Sequence, residues 1–185
     1  MFVKVIPPFT TLGADPLIED GNLTSTIGYQ GYTENESVNG QLQYRIFYHT
    51  NNGNTQPILQ KPIIISDGFD PGDTRKIQAK DYIEYKDGVD RSIEDITRYI
   101  DCNGASQSLI AILRQKGYDV IVVNYPTYTA VSGQKIDGGA DYIECNAMNM
   151  ITLIQMLKTR LDAIGSQEQM VVVGLPNIFQ PINGL

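Results

Sequence analysis

Three short apolar runs, at 62–65, 119–124 and 170–173, most constrain what this chain can fold into. Each is rich in Val and Ile and lacks the polar alternation of a half-exposed strand, which is typical of strands covered on both faces of a parallel sheet. Helical periodicity separates the runs, and strands that alternate with helices are joined by right-handed crossovers. The pattern predicts an α/β fold: a three-layer, predominantly parallel sheet with flanking helices and central strands near 62–66, 119–124 and 169–174.

The strongest helical pattern covers 141–164, and Gly165 is placed to end it. Asp141 and Glu144 resemble a capping box at its start. A second helix is predicted over 106–116, ended by Gly117, and a short one near 92–100. The pattern puts Cys145 away from the apolar stripe of the long helix, which comprises Ile143, Ala147, Met150, Ile151, Ile154, Leu157, Leu161 and Ile164.

The segments before the first apolar run have a different character. Residues 1–40 are rich in Gly, Asn, Thr and Pro and are interpreted as an irregular arm. Residues 41–49 alternate between apolar and polar, which predicts a half-buried strand. The Asn-rich segment 51–54 has turn composition, because Asn and Gly tolerate positive φ. His49, the single histidine, is expected to be an ordinary strand or surface residue.

Composition excludes several function classes. A net charge of −7, with Lys+Arg 14 against Asp+Glu 21, argues against a nucleic-acid binder. One His and two Cys cannot assemble a finger or ribbon zinc site, so no metal and no cofactor are expected, and Cys102 and Cys145 are expected to be unpaired thiols. No apolar run approaches the length of about 20 residues that a membrane span needs. No signal peptide is recognisable at the start.

From about Gln43 to Gly174 the sequence resembles the α/β-hydrolase fold family, and more narrowly bacterial, Bacteroidetes-type secreted serine hydrolases. The most specific motif is the loop 68–72, Gly-Phe-Asp-Pro-Gly, after the first central strand. The resemblance implies that Gly68, Phe69 and Asp70 form the oxyanion loop, with the Phe69 N–H as one donor. The alternative is that the glycines only turn the chain. Further segments that carry the resemblance are 44–48, 61–67, 109–113, 117–124 and 137–144.

The resemblance ends abruptly after Gly174, which occupies the first position of the expected nucleophile elbow. The serine position holds Pro176, Ile178 stands at the second glycine position, and 175–185 is a divergent tail after a hydrolase-like segment 41–174. Within these residues no Ser-His-Asp triad can be assembled, so no catalytic residue is assigned. Two interpretations stay open: the amino-terminal half of a hydrolase (an incomplete α/β-hydrolase-like fold), or a non-catalytic binding module derived from one. The resemblance also implies an extracytoplasmic or secreted protein.

Other residue patterns suggest ligands or partners. Tyr125 and Tyr128, with Tyr142, flank the expected site and are candidates to line an acyl or sugar pocket for an ester-like small molecule. Asp67, Asp70 and Asp73 could offer oxygen ligands to Ca²⁺, but their spacing is not that of a Ca²⁺ loop, and turn-capping carboxylates are the preferred interpretation. If the sheet ends at 170–173, its apolar edge predicts self-association.

Overall fold

The computed structural model describes residues 15–32, 35–66, 77 and 97–174. Short 3₁₀ turns lie at Asn51–Gly53 and Gly138–Ala140. The strands and helices, in chain order, are β1 Ile18–Thr24, β2 Gln41–Phe47, β3 Pro62–Ser66, β4 Arg98–Ile100, β5 Ser106–Ser108, α1 Leu109–Gln115, β6 Asp119–Asn124, β7 Tyr128–Thr129, β8 Lys135–Ile136, α2 Ile143–Ala163 and β9 Val171–Gly174.

The central sheet has five strands in the order β1-β2-β6-β3-β9. Strand β3 is parallel to both β6 and β9, and Ile64 is paired with Ile121 on one side and Val172 on the other. Strand β2 is antiparallel to both β1 and β6, so it alone runs against the other strands of this sheet. The mixed α/β class, the mostly parallel sheet and its three parallel central strands are confirmed.

Two helices cover opposite faces of the sheet. On one face α2 packs on a core cluster that includes Leu42, Tyr44, Ile46, Ile64, Ile121 and Val123. On the other face Ile110 of α1 packs with Phe47, Ile65, Val120 and Val122. Every residue of β6 is buried, as expected for a strand covered on both faces. The described residues therefore form the three layers that the sequence predicts.

The interpretation of 1–40 as an irregular arm is wrong over 18–24. This segment is strand β1, which pairs with the whole of β2. Its polar residues and Gly21 give no strand signal, yet Gly21 is needed because a Cβ there would lie 2.2 Å from the ring of Tyr44. Strand β1 joins the sheet through backbone pairing with β2 and through the close approach of Gly21 to Tyr44. Amino-acid composition does not indicate either contact. The domain boundaries at 40 and 174 stay predictions.

Helix α2 has nearly the predicted bounds but a different buried face. Gly165 follows it with φ +70°, as a helix-ending glycine should. Ile143, Ile151 and Ile164 are exposed, so part of the predicted apolar stripe is wrong. The capping box is wrong too, because Tyr142 is the N-cap and makes no side-chain capping bond. The buried face is formed by Cys145, Asn149, Thr152, Leu153, Leu157 and Leu161.

The predicted helix near 92–100 lies partly outside the described residues, and its last part is wrong. Residues 98–100 form β4, which pairs with β5 in an antiparallel hairpin. Because 106–108 belong to β5, helix α1 starts at Leu109 rather than at 106. Ser108 is its N-cap, and the Ser108 side chain accepts a hydrogen bond from the Ala111 N–H. Gly117 lies just beyond α1 with φ +89°, as predicted for its C-terminal glycine.

We expect Leu157→Ala to lower the free energy of unfolding by about 2–5 kcal/mol, because Leu157 is fully buried between α2 and the sheet and its truncation leaves a cavity. Chemical denaturation followed by circular dichroism measures the loss. The matched control is Ile143→Ala on the same helix, where the side chain is 82% exposed and the change should stay within about 0.5 kcal/mol. Equal losses at both positions would contradict the observed orientation of α2.

Candidate functional site

The carboxyl ends of β3 and β6 form a topological switch point. The chain leaves β3, passes through α1 on one face and enters β6, then passes through α2 on the opposite face and returns to the far side of β3 as β9. Neighbouring strands whose connections leave toward opposite faces create a crevice at their carboxyl ends, where ligands of open α/β sheets bind. We call this place the switch-point crevice, defined by Ser66, Asn124 and Tyr125.

Two hydroxyl groups meet in the switch-point crevice. Ser66 ends β3 and is buried, and its Oγ lies 3.4 Å from the Tyr125 hydroxyl, just beyond β6. Burial raises the pKa of Tyr125, so its hydroxyl stays protonated at neutral pH. Tyr125, one of the two predicted pocket residues, thus lies in the crevice as a neutral hydrogen-bonding group.

Tyr128, the other predicted pocket residue, lies in a different place. It is buried in β7, and its hydroxyl donates a hydrogen bond of 2.8 Å to Asp141 Oδ2. Burial, followed by this bond, raises the pKa of Tyr128. Tyr128 lines a separate cleft beside the start of α2. The crevice residue Tyr125 is not part of the lining of that cleft.

Cys145 faces this same cleft and is buried, so its predicted position on the polar side of α2 is wrong. Its Sγ lies 3.8 Å from the Tyr128 hydroxyl. Burial, then the hydrogen bond with Asp141, raises the pKa of Cys145 to about 12. A protonated thiol is a poor nucleophile, and so Cys145 is not a catalytic candidate. Both cysteines are unpaired, as predicted.

The cleft beside α2, here called the tyrosine cleft, has a volume of about 720 Å³. Tyr142 stands between Tyr29 and Tyr32, with ring centroids 5.7 and 5.8 Å away. Gly31 makes this packing possible, because a Cβ there would lie 2.2 Å from the Tyr142 ring. The Tyr32 hydroxyl donates to Glu144 Oε1 at 3.0 Å. Sequence reasoning missed Tyr29 and Tyr32, since they lie more than a hundred positions before α2 in a segment taken as irregular.

His49 lies at the opposite end of the sheet, and the expectation of an ordinary strand or surface position is wrong. It is buried, with its Nδ1 2.8 Å from Asp119 Oδ1, and Asp119 begins β6. The same carboxylate accepts hydrogen bonds from the backbone N–H groups of His49, Gln60 and Lys61. The signal in the sequence was Asp119 itself, a charged residue opening an apolar strand.

The remaining predicted site residues lie outside the described part of the chain. These are the oxyanion-loop candidates Gly68, Phe69 and Asp70, and Pro176 at the expected serine position, so their roles stay predictions. The carboxylates considered for Ca²⁺ at 67, 70 and 73 also fall there. Among the residues that the structure describes, no group of three or more His, Cys, Asp or Glu is placed to hold a metal ion. Over the same residues, no helix has the length and hydropathy to cross a membrane.

Known proteins give few matches. No protein-family description matches the sequence, and neither does any curated protein. A solved structure with some likeness is a ferulic acid esterase from Streptomyces cinnamoneus, at 13% sequence identity and a TM-score of 0.36. The match covers 88% of this chain and 52% of that one, so the chain spans about half the length of the esterase. At this level the likeness carries no argument about activity or substrate.

We expect Asp119→Ala to destabilise the fold by about 3–5 kcal/mol, because it leaves the ring and backbone N–H of the buried His49, and the backbone N–H groups of Gln60 and Lys61, without their acceptor. Urea titration measures the change. Asp162→Ala is the control, since Asp162 makes an exposed ion pair with Lys158 one turn apart on α2 and should change stability by about 0.5 kcal/mol or less. A small effect at Asp119 would mean that the buried carboxylate is not a structural anchor.

Proposed function

We propose that this chain is the amino-terminal part of an α/β-hydrolase, that it binds an ester-like small molecule in the switch-point crevice, and that it does not hydrolyse the ester through a serine triad. The single observation that supports it is the topology of β3 and β6, whose connections leave toward opposite faces of the sheet where Ser66 Oγ lies 3.4 Å from the Tyr125 hydroxyl. The sequence resemblance to secreted serine hydrolases gives the ester class and an extracytoplasmic location.

The position of His49 supports the absence of triad chemistry. A general base must reach the nucleophile within hydrogen-bond distance. His49 contacts Asp119 at the start of β6, while the crevice begins at Asn124, about 16 Å along the strand at roughly 3.3 Å per residue. Because His49 is the single histidine of the sequence, no other imidazole here can serve the crevice.

The second candidate is a natural non-catalytic binding module. The observation that favours it is that core clusters on both faces of the sheet are closed by α1 and α2. The exposed valines of β9 favour the hydrolase half instead, because further strands would cover them. The DNA beyond the Gly174 codon separates the candidates. If another reading frame of that DNA encodes a serine-containing elbow, the chain is the first half of a hydrolase gene whose frame is lost near Gly174. The absence of such an elbow would support the binding module.

We expect no covalent labelling by a fluorophosphonate probe and no turnover of an activated short-chain ester above the buffer blank. The physical reason is that His49, the single histidine of the sequence, contacts Asp119 at the start of β6, whereas Ser66 lies at the opposite end of β3. Intact-mass spectrometry and a chromogenic assay provide the measurements, with Ser66→Ala as the control variant. Labelling that disappears in Ser66→Ala would contradict the proposal and would identify Ser66 as a nucleophile.

Ester binding requires its own measurement. Saturation-transfer NMR with a short-chain alkyl ester should give a signal that Tyr125→Ala abolishes and Tyr99→Ala preserves. Tyr99 is a suitable control because it is a half-exposed tyrosine on β4, outside the central sheet. An unchanged signal in Tyr125→Ala would remove the crevice from the proposal.

We further propose that the chain self-associates through β9. Within the described residues β9 is the outermost strand beside β3, and Val171, Val172 and Val173 are 50%, 50% and 39% exposed. An apolar edge strand recruits other chains. Sedimentation velocity should show concentration-dependent association, which Val172→Lys reduces and Val131→Lys, at an exposed loop position, does not. A monomer at every concentration would contradict this expectation.

A further inference from the structure

The tyrosine cleft combines aromatic surface with negative charge. Tyr29, Tyr32 and Tyr142 come from the segment before β2 and from the start of α2, and their rings are inclined to one another by 54° and 74°. Tyr32 is 82% exposed, so a large part of its ring is free to contact a ligand. All three rings line one open cleft, and the face of an aromatic ring is the part that attracts a cation.

The charged groups of the cleft favour a cation. Of the described residues, Asp137, Asp141 and Glu144 line it together with one ammonium group, that of the exposed Lys135. The amino terminus of α2 contributes a positive potential equivalent to roughly half a charge, which does not cancel three carboxylates. The backbone N–H of Glu144, followed by the Tyr32 hydroxyl, holds the pKa of Glu144 below its usual range, so this carboxylate is ionised at neutral pH.

Tyr29 remains neutral and keeps its electron-rich face. Burial, then a hydrogen bond with Tyr32, raises the pKa of Tyr29 to about 12. The carboxylates are also partly occupied: Asp141 accepts from Tyr128 and from the Tyr142 backbone N–H, and Glu144 accepts from Tyr32. A quaternary ammonium group donates no hydrogen bond, so it needs only charge and aromatic faces and competes with none of these bonds.

We propose that the tyrosine cleft is a binding site for a quaternary ammonium group, held against the rings of Tyr29, Tyr32 and Tyr142 and attracted by Glu144 and Asp141. The site is independent of the switch-point crevice and of any ester chemistry there. The ammonium group is either that of a free small molecule or that of a lipid headgroup, since both present the same trimethylammonium chemistry.

The direct test is an isothermal titration calorimetry experiment in which the full chain is titrated with choline. A parallel titration uses the neutral carbon isostere of choline, 3,3-dimethylbutanol. The two ligands have nearly the same shape and differ in charge. We expect choline to bind at least about tenfold more tightly than the isostere. Equal binding of the two, or no binding of choline, would overturn the proposal, as would tighter binding of a methyl glucoside than of choline.

Variants separate the ring from its hydroxyl group. Tyr32→Ala should weaken choline binding by about three- to fivefold, and Tyr32→Phe by less than about twofold, because it keeps the ring. Glu144→Gln should weaken binding by about three- to fivefold through loss of charge. Tyr99→Ala is the matched control and should leave binding unchanged, with circular dichroism confirming the fold of every variant. An effect of Tyr99→Ala equal to that of Tyr32→Ala would also overturn the proposal.

A third arm distinguishes the two sources of the ligand. Vesicles of phosphatidylcholine alone are co-sedimented with the chain in the presence and absence of free choline. Vesicle binding that choline displaces indicates a lipid headgroup, and choline binding without vesicle binding indicates a free small molecule. Vesicle binding that choline does not displace, and that Tyr32→Ala leaves intact, would count against the cleft.

Discussion

The buried carboxylate of Asp119 joins the parts of the chain on which the sheet depends. It accepts hydrogen bonds from the backbone N–H groups of His49, beyond β2, and of Gln60 and Lys61, before β3, and it contacts the His49 ring. A carboxyl group buried away from water is stable only when hydrogen-bond partners such as these satisfy its oxygens. By holding the amino ends of β3 and β6 level with the end of β2, this interaction determines where the opposite ends of β3 and β6 lie, and therefore where the switch-point crevice opens.

A half-buried ion pair positions α2. Arg160 forms hydrogen bonds with Glu19 of β1 at 2.7 and 3.0 Å, and the Tyr48 hydroxyl donates to the same carboxylate at 2.6 Å. Burial opposes the charge of Glu19, but the hydrogen bonds from Arg160 and Tyr48 prevail and lower the pKa of Glu19. The link between α2 and β1 explains why a polar segment without a strand pattern becomes an edge strand. It also fixes the orientation of α2, whose opposite end contributes Tyr142 to the tyrosine cleft.

The two candidate sites share one stretch of chain, residues 125–145, which leaves the carboxyl end of β6 and leads into α2. Tyr125 remains at the end of the strand, in the crevice, whereas Tyr128 turns away and lines the tyrosine cleft. The single histidine of the sequence, His49, contacts Asp119 at the other end of the sheet. The switch-point crevice and the tyrosine cleft are therefore separate places, and among the described residues that form them there is no histidine.

The sequence by itself determined the elements whose signals are local. Continuous apolar runs predicted the parallel strands, and Gly117 and Gly165 predicted the ends of the helices, because burial on both faces and positive φ each restrict the residue types allowed. Only the tertiary structure decided which face of α2 is buried, that 18–24 forms a strand, and that Tyr29 and Tyr32 meet the start of α2. These outcomes depend on contacts between residues far apart in the chain. A glycine leaves room for a tyrosine ring, or a carboxylate accepts hydrogen bonds from distant backbone N–H groups. No local sequence pattern indicates such contacts.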